Sequence, residues 1–334
     1  MRDRTRILRL FIYGLPFVLL AGSLALGPFR ISLADIFKTL LAPLVPAWKA
    51  SLPPEYAGII FGIRLPRIIL AMATGAALST SGASLQALFK NPLVNEYILG
   101  ISSGAGFGAA LSLVFLPHFP PQVLAFTFAV VSVLLVLAIA SRSETPAISL
   151  LLTGVIVSAF FTALLSLVEL FASPYSLQTL FFWLMGNLSL PGWKQLLPSL
   201  PIIAAGMLVL YRMRWRLNVL SMSDDEARSL GADIRREKLL VVVLAALITA
   251  AAVSVAGIIG WIGLIVPHLV RMMFGAENRR VLPLSAALGA SFLLAADDVT
   301  RSLASFEIPV GVFTSLIGIP IFIVLLRRSS KVWL

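Results

Sequence analysis

The chain contains no cysteine, which excludes disulfides, thiolate metal sites and redox motifs at once. Histidine is almost as scarce. His118 and His268 are the two present, and neither has an acidic neighbour at ligand spacing, so the sequence offers no basis for a metal centre. Charge is thin, at 12% of residues, and acids are outnumbered: 15 Asp and Glu stand against 26 Lys and Arg. No Gly is followed at the required spacing by Gly-Lys-Ser/Thr, so a P-loop nucleotide site is missing from the sequence. Long polar stretches are missing too, except between Arg212 and Lys238.

What fills the 334 residues is apolar sequence, at 59% hydrophobic content and a mean hydropathy of +0.99. That is too much apolar surface for one soluble core. Runs of about 17 to 25 residues, long enough to cross about 30 Å of hydrocarbon, recur along the chain. They place spans near 8–27, 59–85, 93–115, 121–140, 147–170, 194–211, 239–258, 260–274, 282–298 and 307–326. The expected fold is an all-α, polytopic membrane bundle of about ten helices, with residues 1–334 forming a single transmembrane domain. The first span is followed by others of the same kind, so it reads as a retained anchor rather than a cleaved signal.

The formal net charge of +11 does not point to nucleic acid, because the cations sit in short loops and at span ends, as membrane orientation requires. With both termini cytoplasmic, most Lys and Arg fall inside. Those left outside are Arg30, Lys38, Lys49, Arg64, Arg67, Lys194 and Arg301. The asymmetry supports that orientation and an even number of spans.

Several polar positions stand out against this background. Arg64 and Arg67 are three apart and share a helical face, with Pro66 between them tolerated near a helix start. Arg301 lies at the same side of the membrane, beside Asp297 and Asp298 and ahead of Glu307 and Pro309. The acids there are in place to neutralise Arg301 internally, yet three cations at span mouths also form a ring suited to an acidic protein surface. Thr74 to Gln86 carries small and hydroxyl residues that read first as close helix packing. Asn91-Pro92 breaks the helix, and irregular backbone at this depth belongs beside protein or a water-filled path. Asn91 and Leu93 are therefore candidates for a constriction. A similar small-residue texture at Gly257, Gly260, Gly263, Pro267 and Gly289 hints at an internal repeat.

The polar segment 214–238 contains Ser223-Asp224-Asp225-Glu226-Ala227-Arg228-Ser229-Leu230-Gly231. Ser223 is placed as a helix cap, Glu226 as its capping-box partner and Gly231 as the stop. The spacing predicts a one- to two-turn helix in a cytoplasmic loop, either a docking element or a solvated connector.

At these residues the chain resembles the permease subunits of type II ATP-binding-cassette importers, the FecCD-like family that takes up iron-siderophore complexes, haem and cobalamin. The resemblance covers most of the chain. It rests on Arg64-Leu65-Pro66-Arg67, Gly75 to Leu78, Gln86 to Leu93, Leu99 to Ala105, Phe182-Trp183-Leu184-Met185-Gly186, Glu226 to Gly231, Gly260 to Arg271 and Pro309-Val310-Gly311, in that order and spacing.

The resemblance implies a homodimer in the cytoplasmic (inner) membrane, with ten spans per subunit and a path for a metal chelate at the dimer axis. It implies a periplasmic or lipoprotein binding protein docking through acids on arginines like Arg64, Arg67 and Arg301. Residues matching Asn91 and Leu93 narrow the inner end of the path. The loop including Ser223, Asp224, Asp225, Glu226, Ala227, Arg228, Leu230 and Gly231 seats in a separate ATPase, two copies of which bind ATP and Mg2+. No cofactor is expected in this chain, and no enzymatic activity. Two departures stand out: Ser223 where the family often has Gly, and Asp298 where an apolar residue is common.

Two other classes compete. An ion-coupled secondary transporter needs ionisable residues at mid-span. Glu169 comes near the end of span five, and no interior Asp or Glu is read in spans two, three, four and seven, which counts against it. An intramembrane enzyme lacks a nucleophile-base pair.

Overall fold

The computed structural model describes residues 2–27, 29, 31–45, 48, 52–140, 146–189, 192–303 and 308–329, and these are helical or connecting. Arg30, Lys49, Arg142, Glu307 and Lys331, which entered the reading of charge and spans, lie outside the described residues.

The helices are α1 (Arg2–Ala25), α2 (Leu33–Leu41), α3 (Leu65–Phe89), α4 (Ile101–Phe115), α5 (Pro121–Ala140), α6 (Pro146–Leu170) and α7 (Pro174–Leu184). After these come α8 (Ser199–Arg212), α9 (Arg214–Leu220), α10 (Asp224–Ser229), α11 (Ile234–Ala256), α12 (Ile262–Phe274), α13 (Asn278–Leu303) and α14 (Val310–Ser329). Six of the described helical stretches are long and apolar enough to cross a membrane, and α4, α8, α12 and α14 add four shorter apolar helices. Together they occupy the ten expected spans. The short helices α2 and α7 fall between spans and start on local signals: Ser32 accepts the Asp35 N–H at 3.1 Å, and Ser173 accepts that of Ser176 at 3.2 Å ahead of Pro174.

The third span differs most from its expected form. Residues 90–100 are not helical membrane sequence but a break containing a single 3-10 turn, Glu96–Leu99, and the helix begins only at Ile101. Lys90, at φ 52°, closes α3, and Gly100, at φ 76°, opens α4. Left-handed backbone is strained for lysine and free for glycine. The second span is extended backwards by a π-helical turn, Gly58–Arg64, and runs on to Phe89.

α3 is the hub, packed on α11, α12 and α13. A helix buried on every side needs small residues wherever a neighbour's backbone comes close. Gly75 and Gly82 meet that need. A Cβ on Gly75 would lie 2.2 Å from the Gly289 carbonyl oxygen of α13, and one on Gly82 would lie 1.9 Å from that of Gly263 in α12. The two glycine-rich regions noted in the sequence are therefore packed against each other. Hydroxyls join α3 to α11: Thr249 donates to Ser81 Oγ at 2.9 Å, and Ser81 donates to the Ala245 carbonyl at 3.1 Å. At the rim the pattern reverses. α6 exposes Leu152, Ile156 and Phe160, and α14 exposes Leu316 and Ile323.

Candidate functional site

Three places carry the candidate residues: the two ends of α3 and the broken backbone that follows its second end and packs back against Gly263. At the first end, Pro66 sits in the opening turn of α3, and Arg64 and Arg67 flank it. Arg64 is 4% exposed, with its guanidinium donating to the carbonyl oxygens of Leu24 and Phe29. Gly27, at φ +146°, leaves room for it, since a Cβ there would approach the guanidinium to 3.1 Å. Arg67 forms a two-pronged pair with Asp297, through Nε to Oδ2 at 3.0 Å and Nη2 to Oδ1 at 2.8 Å. Arg301 bonds Asp298 and Ser23 Oγ, the latter at 2.7 Å, with Asp297 at 3.9 Å.

The structure thus brings Arg64, Arg67 and Arg301 into one cluster, but as fasteners of α1, α3 and α13 rather than as an outward ring. Side-chain exposure is 12% for Arg67 and 8% for Arg301. The reason is electrostatic: a guanidinium removed from water takes the nearest carbonyls and carboxylates. Asp298 has a definite structural role here, pairing with Arg301 and accepting the Ser23 hydroxyl at 2.5 Å.

After the second end, two breaks face each other. Asn91 Oδ1 accepts the Leu93 N–H at 2.9 Å in a local turn, and Leu93 is 51% exposed. Opposite lies Gly257–Trp261, the break between α11 and α12, where Gly257 and Trp261 have φ of 72° and 73°. Tyr97 bonds the Ile259 carbonyl across the gap, and Gln86 Nε2 donates to the Leu264 carbonyl at 3.2 Å. The scattered sequence motifs meet at this point. Asn187 N–H donates to the Ala256 carbonyl at 2.9 Å, Gly311 N–H donates to that of Met185 at 3.1 Å, and a Cβ on Gly257 would lie 2.2 Å from the Trp183 carbonyl oxygen.

The sequence reading missed Glu96. Contrary to the expectation that span three holds no interior acid, Glu96 is fully buried, with its carboxyl set against the backbone of Gly263 and no cation beside it among the described residues. The available signal was an ionisable residue inside an apolar run, which is costly in a membrane and so warrants a functional question. His268 is buried without a hydrogen-bond partner. Among the described residues, no group of three or more His, Asp or Glu is placed to hold a metal ion.

At the other end of α3 the expected short helix is present as α10. Ser223 accepts the Glu226 N–H at 3.3 Å, and Glu226 Oε2 accepts the Ser223 N–H at 3.0 Å, closing the capping box. Gly231, at φ +77°, ends it, with the Ala232 N–H donating to the Ala227 carbonyl at 3.1 Å. Ala227 is buried with Val219, Ala232 and Ile234, which seats the helix on its own loop. Asp225, Arg228 and Leu230 face outward, the first two with side chains 96% and 70% exposed.

Asp224 connects this helix to α3, with Lys238 Nζ at 2.9 Å and Lys90 Nζ at 3.9 Å. The Lys238 hydrogen bond holds the Asp224 carboxyl below its ordinary value of 3.8, and hydrogen bonds from the Ser223 hydroxyl and backbone do the same for Glu226. Ser221 Oγ donates to the Ala87 carbonyl at 3.1 Å, and a cavity of about 160 Å³ lined by Gln86, Lys90, Asn91, Ser221 and Arg271 lies between. The break at Asn91 and the capped helix are therefore neighbours.

Comparison with known proteins places the chain in a family. The FecCD transport family matches residues 15–328. A hemin transport system permease protein, HmuU, from Yersinia pestis is 36% identical over 99% of this chain and 98% of its own length. A molybdate import system permease protein, MolB, from Haemophilus influenzae is 36% identical over 92% of each chain. A solved structure described as an inward-facing conformation of a protein assigned to the metal-chelate type ABC transporters superposes with a TM-score of 0.86, at 34% identity, over 97% of this chain and 99% of that one. The chain belongs to the FecCD transport family, as a multi-pass membrane permease of ABC type that carries transport while the ATPase is a separate subunit.

Proposed function

We propose that two copies of this chain form a conduit at their shared axis, through which a bulky metal chelate passes by alternating access. Two cytoplasmic ATPase subunits, holding ATP and Mg2+, seat on the α10 loops, and a periplasmic or lipoprotein binding protein delivers cargo at the arginine end. Both termini lie in the cytoplasm. The observation that carries this reading is the short link from α10 to the Asn91 break, through Asp224 to Lys90 and Ser221 to Ala87. A displacement of α10 by a closing ATPase reaches Asn91 and Leu93 without crossing mobile chain. The exposed apolar faces of α6 and α14 are available to the second copy and to lipid.

The arginine end acts on an acidic partner through its field, because each guanidinium already has internal partners. Apart from the buried Glu96, the breaks that meet at Gly257 carry small, apolar and weakly polar groups, which suits a chelate that shields its own metal better than a bare oxyanion. Relatives differ on this point, one being named for hemin and one for molybdate. A second reading, ion-coupled transport, has one observation on its side: the fully buried Glu96 carboxyl.

Reconstitution separates these readings. In proteoliposomes, uptake of an iron chelate is expected only with the ATPase, the binding protein and ATP all present. Uptake by this chain alone under a proton or sodium gradient contradicts the proposal, and preferential uptake of molybdate replaces the cargo class.

A further inference from the structure

We infer that the groove between α5 and α8 is a binding site for one anionic phospholipid, with an acyl chain lying along α11 and the phosphate at Lys194. Helices α5 and α8 both pack on α11, which leaves a channel between them with α11 as its floor. Its volume is about 610 Å³. That is within the range of about 300–1,000 Å³ typical of small-molecule sites.

The distribution of polarity selects an amphiphile. The walls are apolar, with Val123 and Phe126 on one side, Ile202 on the other and Ala251 and Val255 beneath. The hydroxyls that also line the groove are spent inside their own helices or turns: Thr127 donates to the Val123 carbonyl at 2.8 Å, Ser199 to Leu196 at 2.8 Å and Ser254 to Ala251 at 3.0 Å. Apart from His118, Gln122 and Gln195, which adjoin the prolines and Lys194 in sequence, the groove therefore asks for no polar ligand. The mouth is different. Lys194 is exposed and makes no ion pair among the described residues, and no Asp or Glu lines the groove. A lone cation over an apolar slot between membrane helices matches a negatively charged head on a hydrocarbon chain.

Position supports the same occupant. Trp193, beside Lys194, donates its indole N–H to the Phe61 carbonyl at 2.6 Å, which fixes the mouth at the arginine end of the bundle, at the level where tryptophan commonly marks the membrane interface. The prolines at 117, 120 and 121 border the same mouth and hold its backbone in shape.

The test uses the permease with its ATPase in nanodiscs of equal phosphatidylglycerol and phosphatidylethanolamine, released and weighed by native mass spectrometry. The wild type is expected to retain one phosphatidylglycerol per chain that Lys194→Glu loses about tenfold, since reversing a surface cation removes an attraction and adds a repulsion. Lys194→Arg and the control Lys38→Glu are expected to retain it. Ile202→Trp, which fills the groove and leaves Lys194 in place, is expected to lose it. Equal retention by the wild type and Lys194→Glu overturns the inference. So does displacement by excess inorganic phosphate, or an effect of Lys194→Glu confined to binding-protein docking.

Discussion

The two ends of α3 use charge in opposite ways. At Arg67 the helix begins in a sealed cluster, where the carboxylate of Asp297 is wholly buried and the guanidinium nearly so. At Lys90 it ends in an open one, where the ammonium is 41% exposed and its partner Asp224, 49% exposed, stands 3.9 Å away. A buried pair in good geometry resists separation because each member would be left charged and dry. An exposed pair can loosen and re-form, since water replaces what is lost. The first end therefore fixes α1, α3 and α13 as one body, and the second is free to follow a partner. The coupling proposed for α10 needs that division between a rigid frame and an adjustable end.

The largest expected effect breaks the contrast directly. Asp297→Ala strands Arg67 and is expected to cost about 3–5 kcal/mol of stability, whereas Asp224→Ala is expected to cost less than about 1 kcal/mol. Thermal midpoints of the detergent-purified protein measure both, and equal losses erase the distinction. Next comes Ser223→Ala, which removes the α10 cap at about 1 kcal/mol. Its effect is expected to be local, with ATP-driven uptake falling while the global midpoint barely moves. A midpoint that falls in step with uptake makes α10 part of the rigid frame.

The smallest effect sharpens the picture at low pH. Asp224 titrates below its ordinary value of 3.8 because Lys238 bonds the charged form. Its contribution is therefore complete above that value and is lost as pH falls through the lower folded one. Amide exchange in α10 is expected to accelerate over that interval, and Lys238→Ala is expected to shift the acceleration to higher pH. An unchanged profile in Lys238→Ala removes the role given to this pair.

Much of this arrangement can be read in the sequence because membrane helices announce themselves by composition and length, and because capping is local. Ser223, Glu226 and Gly231 specify α10 within nine residues, so no tertiary information is needed. The glycines at 75 and 82 were legible as packing residues, though their partners Gly289 and Gly263 were not, because contact between helices distant in sequence leaves no local mark. The arginines show the limit most clearly. Sequence places Arg64, Arg67 and Arg301 at span mouths, but whether a cation faces water or a carboxylate depends on how α1 and α13 lean on α3. Glu96 was hidden for a related reason: an expected continuous span at 93–115 put it near a helix end, while the break at 90–100 carries it inward beside Gly263.

Absence of native cysteine makes the central claim directly accessible, because single cysteines can be introduced without background. With Asp225→Cys and Arg228→Cys, the account predicts cross-links to the ATPase subunit through a short bifunctional reagent, with yields that change when ATP closes the ATPase pair. No cross-link at either position, together with full ATP-driven uptake after a bulky label is attached there, would contradict it.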